Sequence, residues 1–302
     1  MLRGLAILAV VVVVLQCCEL PRRTDGRCVL FNFGDSNSDT GSLPAAYGFY
    51  LGPPAGRRFF HRTTGRWSDG RLYIDFIAES LGISYLSPYL ESSGSNFTDG
   101  VNFAVAGAAA ASNQSAIPFP MATQVEDAVR ALYGAGGRKF WVYNTGPLGC
   151  LPQTLALRQK PGDEVDPVGC LAAYNTAARA LNAGLAAACR RLADEYGRGE
   201  RVDRATVVCT DMYAIKYDLF ANHSQYGFER PLMACCGNGG PPYNYVNLKT
   251  CGQPTATACP EGERYVSWDG VHYTEDANTI VASKILSGDF SEPCAKLDAL
   301  CT

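Results

Sequence analysis

Ser36, Asp269 and His272 are the residues of this 302-residue sequence whose types and setting suit acyl transfer. Ser36 follows the apolar, β-rich run Cys28-Val29-Leu30-Phe31-Asn32-Phe33. It sits in Gly34-Asp35-Ser36-Asn37-Ser38-Asp39, where a buried strand gives way to a turn. A serine hydroxyl becomes a useful nucleophile when an imidazole takes its proton and a third group orients that imidazole. Of the 3 histidines, His61 lies in an Arg-rich stretch and His223 inside the sequon Asn222-His223-Ser224, which leaves His272. Asp269 precedes it by three residues in Asp269-Gly270-Val271-His272, close enough for a turn to fold the carboxylate onto the ring. Taken alone, such a D-x-x-H is more often an ordinary surface loop. Its weight comes from the pairing with Ser36.

Other chemistries have less support. There is no G-x-S-x-G elbow, no G-x-G-x-x-G, no phosphate-binding G-x-x-x-x-G-K-S/T and no H-E-x-x-H. Asp35 and Asp39 offer a carboxylate pair for glycoside hydrolysis, but their spacing along the chain does not set their separation in space. The formal charge of −3 and the lack of basic runs exclude an electrostatic footprint for nucleic acid.

The elements that must position these residues read as short apolar strands alternating with amphipathic helices. Strands are expected over residues 28–33, 101–107, 139–143 and 205–209. Helices are expected over 71–81, with Asp69 as cap, over 125–133, with Val125, Ala128, Val129, Leu132 and Tyr133 on one face, over 174–192, and over 274–285, capped by Thr274 with Ala277 and Ile280 facing in. Residues 41–70 read as a long surface loop. This alternation predicts one α/β domain, a three-layer arrangement with a parallel sheet flanked by helices and its active site beyond the carboxyl ends of the strands.

The N-terminus reads as an address. Arg3 precedes an unbroken apolar run over residues 4–15, shorter than the roughly 20 residues that cross a bilayer, and Gln16 and Pro21-Arg22-Arg23 follow. Residues 1–24 are therefore expected to be a cleavable secretory leader, with no stable membrane anchor afterwards. Thirteen cysteines fit an oxidising compartment. Cys17 and Cys18 lie at the leader's edge, and the odd remainder leaves at least one free thiol. Cys150 is expected to pair with Cys170 across a Pro/Gly-rich loop. Cys235 and Cys236 are expected to pair separately with Cys251 and Cys259, and Cys189 and Cys209 read as small buried hydrophobes. The sequons Asn96, Asn113 and Asn222 are compatible with glycosylation.

Six blocks, in order, resemble the plant GDSL esterases/lipases, whose fold is of the SGNH, flavodoxin-like type. They are Phe31-Asn32-Phe33-Gly34-Asp35-Ser36-Asn37-Ser38-Asp39-Thr40-Gly41, the stretch from Phe59 to Arg71, Val101-Asn102-Phe103-Ala104-Val105-Ala106-Gly107-Ala108, Gly146-Pro147-Leu148-Gly149-Cys150, Ala234-Cys235-Cys236-Gly237, and the stretch from Ser267 to Glu275. The resemblance implies that residues 28–302 form one hydrolase domain. It makes Ser36 the nucleophile, His272 the base and Asp269 its partner, and gives the N–H groups of Ser36 and Gly107 to the oxyanion hole. It further implies a secreted enzyme of the extracellular space or cell wall, monomeric and needing neither cofactor nor metal. Such an enzyme cleaves small-molecule or polysaccharide-linked esters through an acyl-enzyme.

One block departs. The family's G-x-N-D supplies an asparagine as a third oxyanion donor, and this sequence contains no Asn-Asp dipeptide. Only residues 108–145 separate Gly107 from Gly146, where the family carries a longer segment, so one family strand is expected to be missing. Two consequences are open: the strand 139–143 moves into the vacant slot and brings Asn144 near the site as a substitute donor, or Asn144 is a turn former before Thr145-Gly146. The alternative function is a weak or silent relative that binds esters without turnover.

Overall fold

A computed structural model describes residues 10–14, 28–91, 93–108, 121–198 and 204–297. The first half runs β1 (Val10–Val14), β2 (Leu30–Phe33), α1 (Ser42–Tyr47), α2 (Tyr73–Ser80), β3 (Gly100–Asn102), α3 (Met121–Gly134) and β4 (Lys139–Tyr143). The second half runs α4 (Pro152–Arg158), α5 (Ala172–Gly197), β5 (Thr206–Thr210), α6 (Met212–Ala221), β6 (Cys236–Gly237), β7 (Thr257–Ala258), α7 (Glu275–Ser287) and β8 (Ser291–Glu292).

Successive side chains of a strand point to opposite faces, and β4 uses both. Phe140 and Val142 pack with Val125, Val129, Leu185 and Leu192, the inner faces of α3 and α5. Trp141 and Tyr143 pack with Ile74, Ile77, Ile215, Leu219, Val281 and Ile285, the inner faces of α2, α6 and α7. Phe140 and Trp141 are fully buried, and burying a Phe side chain is worth about 1.5–3 kcal/mol. The result is the expected three-layer α/β fold.

The sheet order is β3-β2-β1-β4-β5-β8. β2 with β3 and β4 with β5 are parallel, as the alternating pattern predicts. Two strands are not. β8 adds antiparallel to β5, and β1 runs antiparallel between β2 and β4, with Val12 opposite both Asn32 and Trp141. The slot between β2 and β4 is thus filled from within the N-terminal apolar run, while β4 keeps its place beside β5. A central position needs two partners for its backbone groups, because an unpaired buried N–H or C=O is costly. Val10–Val14 supplies them on both sides.

Several local expectations change. Residues 41–70 contain the short helix α1. Asp69 does not cap α2, which begins with Leu72 at its N-cap. The Asp69 carboxylate instead accepts the N–H of Glu275 at 2.7 Å, serving α7. Ala128 turns outward, and α5 extends past both ends of its expected span. Cys189 and Cys209 are not thiols but a disulfide joining α5 to β5, with Cα atoms 6.4 Å apart. Helical and strand periodicity places them in one apolar layer without saying that they touch. Cys150–Cys170, Cys235–Cys259 and Cys236–Cys251 pair as expected. Cys28 is also disulfide-bonded. Among the described residues, Cys294 is a free and exposed thiol.

Two expected outcomes follow from this architecture. Non-reducing peptide mapping should recover Cys189 linked to Cys209, and removing that link should cost about 3 kcal/mol, the chain-entropy value for a loop of this size. In the unprocessed chain, Val12→Pro should lower the urea midpoint by the equivalent of about 1–3 kcal/mol, since proline deletes a ladder hydrogen bond inside the sheet. An unchanged midpoint would show that Val10–Val14 is not a working strand.

Candidate active site

The turn that carries Ser36, the candidate nucleophile, is built by backbone geometry and a layer of buried amides. After β2 the chain turns over residues 35–38, closed by Ser38 N–H donating to the Asp35 carbonyl at 3.0 Å. Asp35 Oδ1 accepts the N–H and the side-chain amide of Asn37 at 2.6 and 2.8 Å, which fixes the residue between them, Ser36. Ser36 is 9% exposed. Below the turn, Asn102 Nδ2 donates to the Ser38 carbonyl at 2.6 Å and to Thr40 Oγ1 at 2.9 Å, while Asn32 Nδ2 donates to Asn102 Oδ1 at 2.8 Å. These buried amides come from β2 and β3, so the end of the parallel pair and the turn are one unit.

Asp39 joins this unit to Gly107. Its carboxylate accepts the N–H groups of Gly41, Ser42 and Leu43, and Oδ2 also accepts Ala106 N–H at 2.7 Å. The residue before Gly107 is therefore tethered to the nucleophile turn. Gly107 has φ 81°, a left-handed conformation that favours glycine, and is exposed with open space where a Cβ would stand. The engagement of Asp35 with Asn37 and of Asp39 with four backbone donors gives both carboxylates structural work.

The candidate base, His272, comes from the loop before α7. Asp269 Oδ1 accepts the N–H groups of Val271 and His272 at 3.0 and 2.9 Å, and Oδ2 meets His272 Nδ1 at 2.6 Å. One carboxylate thus shapes the turn and orients the ring. Burial alone would raise the Asp269 pKa, but His272 and the two N–H donors outweigh it and hold the carboxyl below its usual range. The carboxylate stays ionised through mildly acidic pH, and the stability it contributes is lost only as pH falls below the ordinary aspartate range. His272 Nε2 is buried and has no hydrogen-bond partner among the described residues. The Trp67 ring lies 5.4 Å from the imidazole, centroid to centroid. Gly270 has φ 100°, and a Cβ there would come within 2.5 Å of Tyr245. No other residue fits that turn without displacing the tyrosine.

The block from Phe59 to Arg71 buttresses this loop. Arg71 Nε and Nη2 donate to Glu275 Oε1, and its backbone N–H donates to Oε2. A Cβ on Gly70 would fall 1.5 Å from Glu275 Oε2. Arg66 grips Asp75 with two hydrogen bonds of 2.7 and 2.8 Å, both partners buried. Glu275 sits in the first turn of α7, where the helix dipole favours an anion. These roles are invisible to a motif scan, which marks the block without saying what it holds.

Other expected participants lie elsewhere. His61 is exposed, with Nδ1 3.1 Å from the Arg57 carbonyl, and His223 Nδ1 meets the Phe228 carbonyl at 2.7 Å. Asn144 is a turn and capping residue: its amide donates to Asp211 Oδ1 at 2.9 Å and its oxygen accepts Tyr213 N–H at 3.0 Å. Asn113 lies outside the described residues.

Comparison with known proteins identifies the family. The family model for GDSL-like lipases/acylhydrolases matches residues 30–132 and 119–285. A GDSL esterase/lipase of Arabidopsis thaliana is 42% identical, over 94% of this chain and 91% of its own. Another from the same plant is 42% identical over 91% and 90%. A protein of Hevea brasiliensis named an esterase is 35% identical over 95% and 90%. The alignment with the first runs over 354 positions but uses 94% of this chain, about 284 residues, so about 70 positions have no counterpart here. The two family matches share residues 119–132, a stretch that takes in most of α3. The chain belongs to the GDSL-like lipase/acylhydrolase family and is a carboxylic ester hydrolase.

Proposed function

We propose that this protein is a secreted serine esterase that cleaves acyl or acetyl esters of lipids, cell-wall sugars or secondary metabolites through an acyl-enzyme. The observation that carries the reading is the Asp269–His272 pair, with Nδ1 engaged at 2.6 Å and Nε2 buried and unpartnered. An imidazole held in this way presents one free basic nitrogen. His272 Nε2 takes the Ser36 hydroxyl proton as Oγ attacks the ester carbonyl, and the N–H groups of Ser36 and Gly107 receive the resulting oxyanion. Collapse expels the alcohol, which leaves with the proton from His272. Water, deprotonated by the same nitrogen, then releases the acid and restores Ser36.

Secretion is supported by the apolar N-terminal run and by the disulfide bonding of Cys28 and of the pairs Cys150–Cys170, Cys189–Cys209, Cys235–Cys259 and Cys236–Cys251, which an oxidising route would favour. Asn96 is exposed and open to glycosylation. Pairing of Val10–Val14 in the sheet and removal of residues 1–24 exclude one another in any single molecule. A processed molecule must satisfy β2 and β4 in another way.

A second reading, ester binding without efficient turnover, is favoured by one observation. The Asn144 amide is committed to Asp211 and Tyr213 N–H, so it does not replace the family's third oxyanion donor. Loss of one such donor costs about 10²–10³ in turnover.

Active-site labelling with a fluorophosphonate, read with turnover of short-chain nitrophenyl esters, tests the proposal. Wild type should label and turn over slowly. Ser36→Ala should abolish both, and His272→Ala should nearly do so. Asp269→Asn should retain about 10²-fold more turnover than His272→Ala, because it misorients the base without deleting it. Labelling that survives in Ser36→Ala would remove this serine from the mechanism. Labelling without turnover would favour the binding reading.

A further inference from the structure

Beside the turn that carries Ser36 lies a small cavity of about 30 Å³, lined by Asp35, Tyr73, Tyr143, Thr145, Gly146 and Lys216 among others. Lys216 enters it from α6. It is 7% exposed, its ammonium lies 4.5 Å from the centre of the Tyr273 ring, and a Cβ on Gly146 would stand 2.9 Å from its Cδ. Asp35 is 2% exposed. Its Oδ1 serves Asn37, while Oδ2 is buried without a hydrogen-bond partner among the described residues, as is the Tyr143 hydroxyl. A buried lysine, a buried half-satisfied carboxylate and a buried phenol thus face one small space, one residue from Ser36.

We propose that Lys216 is a positioning residue for the nucleophile: its ammonium is the counter-charge that keeps Asp35 ionised, and ionised Asp35 holds Ser36 in its turn. The inference rests on Ser36 being the nucleophile.

The physical case has two parts. An isolated carboxylate buried at Asp35 would take up a proton rather than remain charged. Its grip on the two Asn37 donors would then weaken, because hydrogen bonds to an ionised acceptor are about twice as strong as neutral ones. An uncompensated negative charge beside Ser36 would also oppose the oxyanion as it forms. A cation on the far side of the cavity answers both.

The charges behave accordingly. Burial pulls the Lys216 ammonium down to about 8, with Asp35 opposing the shift. Burial raises Asp35 above its usual range, against the Asn37 hydrogen bonds, Lys216 and His272. The other titratable groups facing Lys216 are Tyr73 of α2, Tyr143 of β4 and Tyr273 at the entrance to α7. Burial pushes all three phenols well above their ordinary value, so they stay neutral. Lys216 therefore loses its charge as pH rises through about 8, and the support for Asp35 goes with it.

The test is the second-order rate of fluorophosphonate labelling of Ser36 in the full chain from pH 6 to pH 10.5. Wild type should show an alkaline decline centred near pH 8. Lys216→Met should label roughly tenfold or more slowly at neutral pH and lack that decline. Lys216→Arg, whose charge persists, should move the decline above the measured range. Asp35→Asn combined with Lys216→Met should label no more slowly than Asp35→Asn alone, because lysine acts through that carboxylate. If the arginine variant does not fold, the methionine variant and the double-mutant cycle decide. A wild-type rate and an unchanged alkaline decline in Lys216→Met would overturn the proposal, as would additive losses in the cycle. Absence of labelling in wild type would remove the nucleophile assignment itself, and this inference with it.

Discussion

The site depends on the backbone pairing that bridges β2 and β4. The nucleophile turn and the Gly107 segment hang from β2 and β3. The framework behind the base is made of β4, β5 and the helices packed on them. Among the described residues, these halves meet in the sheet through β1, which pairs with both. In sequence, β3 and β4 are separated by residues 103–138, the stretch in which the two family matches overlap. Val10–Val14 supplies backbone partners to both halves.

Around that joint, precision comes from carboxylates that each bind several donors. Asp39 gathers four N–H groups from two segments, Asp269 shapes a turn and aims an imidazole, and Asp69 and Glu275 fasten the start of α7 to the block from Phe59 to Arg71. Charge-assisted hydrogen bonds are stronger and more directional than neutral ones. A few of them fix loops that have little apolar surface of their own to bury. Glycine at 70 and at 270 completes the fit where any side chain would collide.

Much of this was legible in the residues. Period-two and helical patterning marked β4, β5 and α7 closely, including the Thr274 cap, whose Oγ1 accepts Ala277 N–H. Elimination among three histidines, joined to the ordered motifs, singled out His272, and the structure brings Asp269 onto it. What escaped is informative. Asp69 is near a helix in sequence but caps a different one, because capping depends on which backbone is nearby in space and not along the chain. Cys189 and Cys209 carry apolar periodicity whether or not they are bonded. Val10–Val14 reads as part of a leader because its apolar run has no period, and the same quality suits it to a buried central strand. Lys216 falls inside the mostly apolar helix α6, and no local pattern distinguishes a buried lysine from a solvated one.

In the unprocessed chain a strand from residues 10–14 closes the sheet and so keeps the two halves of the site together. Hydrogen exchange on the full, unprocessed chain measures this directly. The amides of Val10–Val14 should be protected to the same degree as those of β2 and β4, because the three strands form one ladder that opens together. Exchange of residues 10–14 at unstructured rates, with β2 and β4 still protected and Ser36 still reactive, would contradict the account.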